Sequence, residues 1–254
     1  MTALRLAVSG TYSTGKSTLT EALSLATGIP RTHAMTSREI LADLIPGKTV
    51  MELNSVELLA LGLRRFEERV QNESGLDGFI SDGSIIHEWV YGQARAETGI
   101  NPGAPAILRT VKRVAGWRHN HAYRTYLDIY GQISRERAAT LYDAFVHLPV
   151  EFPLHDDGHR PVSEPFRHLS DTMLYDTVTS LGLPVLTVRG TTEERLSTVL
   201  DHYQLPTVLD VGDAIAQASD RVTRAQRRLQ DNARVLAAQR NTSLARRIRY
   251  AARY

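Results

Sequence analysis

The 254-residue sequence contains no cysteine, which excludes disulfides, thiolate metal sites and a cysteine nucleophile, and which suits a reducing compartment. Nowhere does it hold a run of about 18 apolar residues, the length a spanning helix needs. Its first residues lack the basic stretch followed by an apolar stretch that marks a secretory signal. A soluble, cytoplasmic protein with no membrane partner is the expectation. Excess charge of one sign is also missing overall, at a formal +2, but the balance is uneven along the chain. From Arg221 to Tyr254 there are ten arginines and one acid, Asp231, so the preceding residues are net acidic. At this length one large α/β domain can bury a sufficient core without staples.

What is present begins with Gly10-Thr11-Tyr12-Ser13-Thr14-Gly15-Lys16-Ser17, directly after the apolar run Leu4–Val8. This is the Walker A pattern of a phosphate-binding P-loop. The glycines let the backbone curl so that successive N–H groups, including those of Ser13, Thr14 and Gly15, point at phosphate oxygens. Lys16 reaches the terminal phosphates, and the Ser17 hydroxyl suits Mg²⁺. A helix from Lys16 to about Ala26, with Thr18 in its first turn, adds the positive end of its dipole. The alternative is a tight Gly-rich turn without a ligand; the strand before and the helix after favour nucleotide binding.

Downstream, hydrophobic periodicity alternates between short apolar runs and helical stripes. Thr36 and Glu39 have the spacing of a capping box that opens a helix. A second helix is expected from Ser55 to Val70, with Leu58, Leu59, Leu61, Leu63, Phe66 and Val70 on its apolar face. Phe79-Ile80-Ser81-Asp82 then reads as a strand ending in a carboxylate, 65 residues beyond Ser17. In P-loop proteins such an acid holds the metal or positions the acceptor hydroxyl. Asp82-Gly83 is also a common turn pair, so a strand-ending turn is the rival explanation.

Residues 85–140 are helical in pattern, interrupted at Asn101–Pro105. The basic and aromatic segment Arg109–Arg124 either lines an acceptor pocket or forms a solvated helix face anchored by Trp117. His119 and His121 have no accompanying ligand set for a metal. A strand at Ala144–Leu148, a helix at Glu164–Leu181, a strand at Val185–Val188 and a helix capped by Thr191 or Thr192 follow. Strands alternating with helices predict a parallel sheet of about five strands covered on both faces. From Asp210 a long helix is expected, carrying Val211, Ile215, Ala218 and Val222 on a thin stripe that packs on the body or on a partner helix. Its arginines either form a solvated face or bind a polyanion such as nucleic acid. The organisation expected is therefore a P-loop domain over 1–208, with a helical acceptor-side segment at 85–140 and a lid-like segment at 153–165, followed by a basic helical extension over 209–254.

Four stretches resemble the nicotinamide riboside kinase domain of bacterial NadR-type proteins and the AAA_28-like group of small ATP-binding proteins around it. They are Gly10–Ser17 with Thr18-Leu19; Thr36-Ser37-Arg38-Glu39, similar to that family's Arg-Glu segment; Phe79-Ile80-Ser81-Asp82, similar to its F-I-D-T-D strand end; and Tyr142-Asp143 through Asp156-Asp157-Gly158-His159-Arg160, similar to its Y-D…D-D-G-x-R lid. The resemblance covers roughly residues 3–205 and implies a nucleoside-kinase-like P-loop fold using ATP and Mg²⁺ to phosphorylate a small-molecule hydroxyl. It implies Lys16, Asp82 and Arg160 as catalytic groups, Gly10 and Ser13 to Thr18 as the nucleotide cradle, and Ser17 with Asp82 as metal ligands. Arg38, Glu39, Ser84 and Asp157 fall on the substrate side. Glu39 could instead be only a helix cap, and Arg160 only the residue after a surface turn. The family's second acid of the D-T-D strand end is Ser84 here, and no adenylyltransferase sequence precedes the loop, so the bifunctional form is not expected.

Other absences narrow the class further. There is no N-K-x-D motif with which a signalling GTPase reads guanine. A motor-type AAA ATPase closes its Walker B strand with an acidic pair, but Asp82 is followed by Gly83. The remaining alternative to a kinase is a regulatory ATP-binding module that engages a protein or nucleic acid through the basic helix, which could equally join two copies of the chain.

Overall fold

Strand β1 (Arg5–Ser9) is apolar from Leu6 to Val8 because it forms the middle of a sheet covered on both faces. The computed structural model describes residues 4–98, 117–153 and 163–238. After β1 come α1 (Lys16–Thr27), β2 (Arg31–Thr32), α2 (Ser37–Leu44) and α3 (Ser55–Glu73). They lead into β3 (Phe79–Asp82), α4 (Ile86–Thr98), α5 (Trp117–Leu141) and β4 (Ala144–His147). The chain continues through α6 (Glu164–Ser180), β5 (Val185–Thr187), α7 (Thr192–His202) and α8 (Val211–Ala238). The five strands run in the order β2-β3-β1-β4-β5, and every pairing is parallel. This is the α/β architecture that alternating strands and helices require.

Alternation along each strand divides the core into two layers. Leu6, Val8, Ile80, Ala144 and Val146 point to one face, where they meet Leu19 and Leu23 of α1, Leu196 and Val199 of α7, and Ala218 of α8. Ala7, Phe79 and Phe145 point to the other, against Ile86 and Val90 of α4, Leu127 of α5 and Leu174 of α6. Each fully buried Leu, Phe or Val contributes about 1.5–3 kcal/mol of hydrophobic stabilisation.

The predicted helix starts are realised by their caps. Thr36 with Glu39, Asn54 with Glu57 and Thr191 with Glu194 each form a reciprocal capping box. Helix α3 runs to Glu73, beyond the Val70 expected from its apolar face. Its buried stripe continues in a charged pair, Arg69 and Glu73, rather than in apolar residues. Leu63, assigned by spacing to that face, is half exposed. The long C-terminal helix packs its first turns on α1 and α7 through Val211, Ile215 and Ala218, and its arginines Arg221, Arg224, Arg227 and Arg228 are exposed.

Register brings the carboxyl ends of the three central strands level. Val8 lies opposite Asp82, and Ser9 opposite His147. Everything following β1, β3 and β4 therefore opens at one edge of the sheet, where open α/β sheets bind their ligands.

Candidate active site

The P-loop leaves β1 at Gly10, whose φ of 139° and whose surroundings both demand glycine: a Cβ there would lie 2.5 Å from the Leu148 carbonyl oxygen. Gly15, at φ 89°, forms the left-handed N-cap of α1, and Ser13 also takes a positive φ of 57°. These turns leave the loop amides and the start of α1 facing one point, with Lys16, Ser17 and Thr18 in the first helical turn. Thr14 Oγ1 donates to the Thr11 carbonyl at 3.0 Å, and Lys16 Nζ donates to the same carbonyl.

Asp82 closes the other side of that point. Its carboxylate lies near the Ser17 hydroxyl and in the field of Lys16. Burial works to raise its pKa, but Arg31, Lys16, the nearby Ser17 hydroxyl and Arg69 outweigh it and hold the carboxyl below its ordinary range. Gly10, Ser13, Thr14, Gly15, Lys16, Ser17, Thr18 and Asp82 are thus brought together.

The remaining sequence-derived candidates lie elsewhere or outside the description. Ser84 is buried, with its hydroxyl 3.0 Å from His87 Nδ1, at the start of α4. Glu39 is exposed at the start of α2, and its carboxylate accepts from the Thr36 amide and hydroxyl, both at 2.7 Å. It caps the helix, as its spacing allowed. Arg38 precedes it and is half-buried. Asp157 and Arg160, with the whole lid-like resemblance at Asp156–Arg160, lie outside the described residues, as does Asn101–Pro105 and the first part of Arg109–Arg124.

Three buried side chains grip the outside of the loop. Arg167 of α6 donates from Nε to the Tyr12 carbonyl at 3.0 Å and from Nη1 to the Phe152 carbonyl at 2.7 Å. Arg195 of α7 donates to the Thr14 carbonyl at 2.6 Å and pairs with Glu151. His87 of α4 accepts the Ser84 amide at Nδ1 and places Nε2 3.2 Å from the Gly10 carbonyl. Burial, reinforced by Lys16 and Arg69, pushes its pKa well below the usual imidazole value, so the ring is neutral. The network then assigns the proton to Nε2, donating to Gly10. The loop carbonyls are bound from behind, which leaves its amides to the front.

Under β3 a buried network fixes the strand end that carries Asp82. Arg69 donates to Ser81 Oγ at 2.8 Å and to the Asp82 carbonyl at 3.0 Å. Glu73 accepts from Ser81, from Thr32 and, at 2.9 Å, from the Tyr142 hydroxyl.

Beyond the loop an aromatic and charged wall is drawn from α3, α4 and α6. The Tyr12 ring stacks on Tyr91 at 4.7 Å between centroids, with Phe166 at 6.2 Å from Tyr12. Arg95 lies over Phe166, and Arg65 pairs with Glu88.

The profile of the AAA_28 family, described as an AAA domain, matches residues 5–195. The chain belongs to this AAA-domain family. No curated protein matches it. Among solved structures, this AAA-domain protein is similar to deoxyadenosine kinase from M. mycoides with bound dATP, at a TM-score of 0.56 and 12% identity, over 79% of this chain and 100% of that one. It is also similar to NadR protein in complex with NR, at 0.53 and 16%, over 82% of this chain and 53% of that one. NadR in complex with NAD and AMP-PNP gives 0.51 and 14%, over 80% and 50%. At these identities the likeness is one of fold, the α/β fold of P-loop nucleotide kinases, and the chain spans about half the NadR chain. Among the described residues no helix is long and apolar enough to cross a membrane.

Arg167, Arg195, His87 and Arg69 escape a reading that looks for motifs. A signal for them exists: Arg167, Ser170, Leu174 and Thr177 follow the buried spacing of α6, and His87, Val90 and Ala94 that of α4. A cation or imidazole at a core position of an amphipathic helix has to find a buried partner. Here those partners are loop carbonyls for Arg167, Arg195 and His87 and the end of β3 for Arg69, which no local pattern names.

Proposed function

We propose that this AAA-domain protein transfers the γ-phosphoryl group of ATP to a hydroxyl of a nucleoside-like small molecule. The observation that carries the proposal is the convergence of Lys16, the Ser17 hydroxyl and the Asp82 carboxylate at the mouth of the loop. It is supported by the fold shared with deoxyadenosine kinase from M. mycoides.

Phosphoryl transfer is chiefly positioning and charge neutralisation. The loop amides and Lys16 would cradle the phosphates, their geometry held by Arg167, Arg195 and His87 from behind. A hydroxyl and an ionised carboxylate are hard oxygen donors of the kind Mg²⁺ takes, so Ser17 and Asp82 fit that ion and would hold it. When bound, it would neutralise the β- and γ-oxygens. Asp82 would also take the proton of the acceptor hydroxyl, and Tyr12, Tyr91 and the Arg65–Glu88 pair would form the wall for the rest of that molecule. Arg160 would supply a lid cation over the transferring group, and Asp157 would border the acceptor.

The deciding experiment incubates the protein with Mg-ATP and a broad metabolite pool and searches by mass spectrometry for a species that gains one phosphoryl group. A nucleoside-like product is expected, lost in Lys16→Ala and in Asp82→Asn. ATP hydrolysis that proceeds at one rate with or without the pool, with no phosphorylated product, would overturn the kinase assignment.

A further inference from the structure

The guanidinium of Arg31, at the start of β2, sits between two carboxylates. Nη2 donates to Asp82 Oδ2 at 2.6 Å, and Nη1 lies 3.4 Å from Glu21 Oε2 on α1. Nε donates to Thr20 Oγ1 at 2.9 Å, one residue before Glu21. Arg31 and Asp82 are largely withdrawn from solvent, with side chains 18% and 13% exposed. Glu21 has a second cation: Arg221 Nη1 of α8 lies 3.0 Å from its other oxygen. Alternating charges therefore run in one line, Asp82–Arg31–Glu21–Arg221, from the mouth of the loop to the C-terminal helix.

An oxygen that accepts the short Arg31 hydrogen bond is engaged by a cation, and a divalent ion arriving there meets both a used lone pair and a like charge. Arg31 has somewhere else to go. Glu21 is already within reach of Nη1, and the bond from Nε to Thr20 can persist while Nη2 leaves Asp82. Glu21 is in turn shared with Arg221, so the hold of α8 on Glu21 bears on how well Glu21 can take the guanidinium.

Resting on the assignment of Asp82 as the metal carboxylate, we propose that Arg31 is a positioning residue that competes with the metal for Asp82, with Glu21 as its alternative partner. The affinity of the site for its divalent cation is then set by which of the two carboxylates holds the guanidinium. The apparent affinity is lowered by the fraction of molecules in which Asp82 is taken. Removing the competitor raises it; removing the alternative partner lowers it. The basic C-terminal helix enters the same balance through Arg221.

The test is Mn²⁺ binding to the full chain saturated with ADP, followed by the electron paramagnetic resonance signal of free Mn²⁺. Arg31→Gln is expected to bind Mn²⁺ about tenfold more tightly and Glu21→Gln about threefold more weakly. Glu21→Gln should have no effect in the Arg31→Gln background, which separates competition from a general loss of negative charge. Arg221→Gln, which frees Glu21, should tighten binding slightly. Because Arg31 ties β2 to α1, Arg31→Lys serves if the neutral variant does not fold: it keeps the cation without the planar three-point hold, and an affinity between wild type and Arg31→Gln is expected. Unchanged or weaker Mn²⁺ binding in the Arg31 variants would overturn the inference, since Arg31 would then be steadying Asp82 for the metal. Asp82→Asn marks the other failure: if it leaves Mn²⁺ binding unaltered, the metal assignment itself falls, whereas weakened binding in Asp82→Asn with no response to Arg31 removes the Arg31 inference alone.

Discussion

The two halves of the candidate site are built in different ways. The half proposed for phosphate is eight consecutive residues, Gly10–Ser17, whose backbone geometry includes positive φ angles at Gly10, Ser13 and Gly15 and whose outer carbonyls are bound by Arg167, Arg195 and His87. The half proposed for the acceptor is a wall of side chains, with the partly buried Tyr12 from the loop, Arg65 from α3 and Tyr91 from α4 backed by the fully buried Phe166 of α6. Phosphate presents one geometry in every nucleotide, so a short run of amides can be specialised for it and then locked. An acceptor is recognised by surfaces that differ from molecule to molecule, and those surfaces come from residues scattered along the chain. If this contrast is real, damage to the first half should fall on turnover with ATP, and damage to the second on the acceptor alone.

The largest effect after loss of Lys16 itself is expected where the loop is gripped. Arg167→Met removes a buried guanidinium that serves the Tyr12 and Phe152 carbonyls. Leaving such groups unserved costs about 1–3 kcal/mol each, and the loop is free to shift. We expect kcat to fall on the order of 10²-fold, with a lowered midpoint of thermal unfolding and little change in the KM for the acceptor. Steady-state kinetics with each substrate varied in turn would check it. An acceptor KM that rises while kcat holds would break the division between the halves.

A smaller and complementary effect is expected at Tyr91, whose ring stacks on Tyr12. Tyr91→Ala should raise the KM for the acceptor about tenfold, the scale of one lost aromatic contact, and leave the KM for ATP unchanged. Tyr91→Phe, which keeps the ring, should recover most of the loss. Equal effects of the alanine substitution on both KM values would show that the ring supports the loop rather than the acceptor.

How far each half could be read from sequence follows from the same contrast. The loop, the strand end at Asp82 and the order of strands and helices were legible because they depend on local spacing: apolar runs, capping boxes and glycines at fixed offsets. Arg167 and His87 were not singled out because their meaning depends on what lies 155 and 77 residues away. Arg31 carries no pattern at all, since its partners Asp82 and Glu21 come from a neighbouring strand and a helix. The C-terminal helix was legible as a stripe that needs cover, and the structure supplies α1 as its partner. Arg160 and Asp157 lie outside the described residues, so the lid stands on resemblance alone.

The smallest expected effect separates the grip on the loop from its chemistry, because it needs no substrate. His87 is neutral in the folded protein, with a pKa held well below the 6.5 of an ordinary imidazole by burial and by the neighbouring Lys16 and Arg69. Below pH 6.5 the unfolded chain takes up a proton that the folded chain refuses. The stability this neutral ring confers is therefore fully present above pH 6.5 and is lost as pH falls from there toward the lowered folded value. Well inside that window the loss approaches about 1.4 kcal/mol per pH unit for one such group. His147 is lowered in the same direction, mainly by burial, and adds to the slope. Denaturant unfolding at pH 7.5 and pH 5.5 should show wild type losing stability between the two, and His87→Gln losing measurably less. Parallel losses in the two proteins would mean that the ring accepts its proton in place, and that burial beside Lys16 and Arg69 is not enough to keep it neutral.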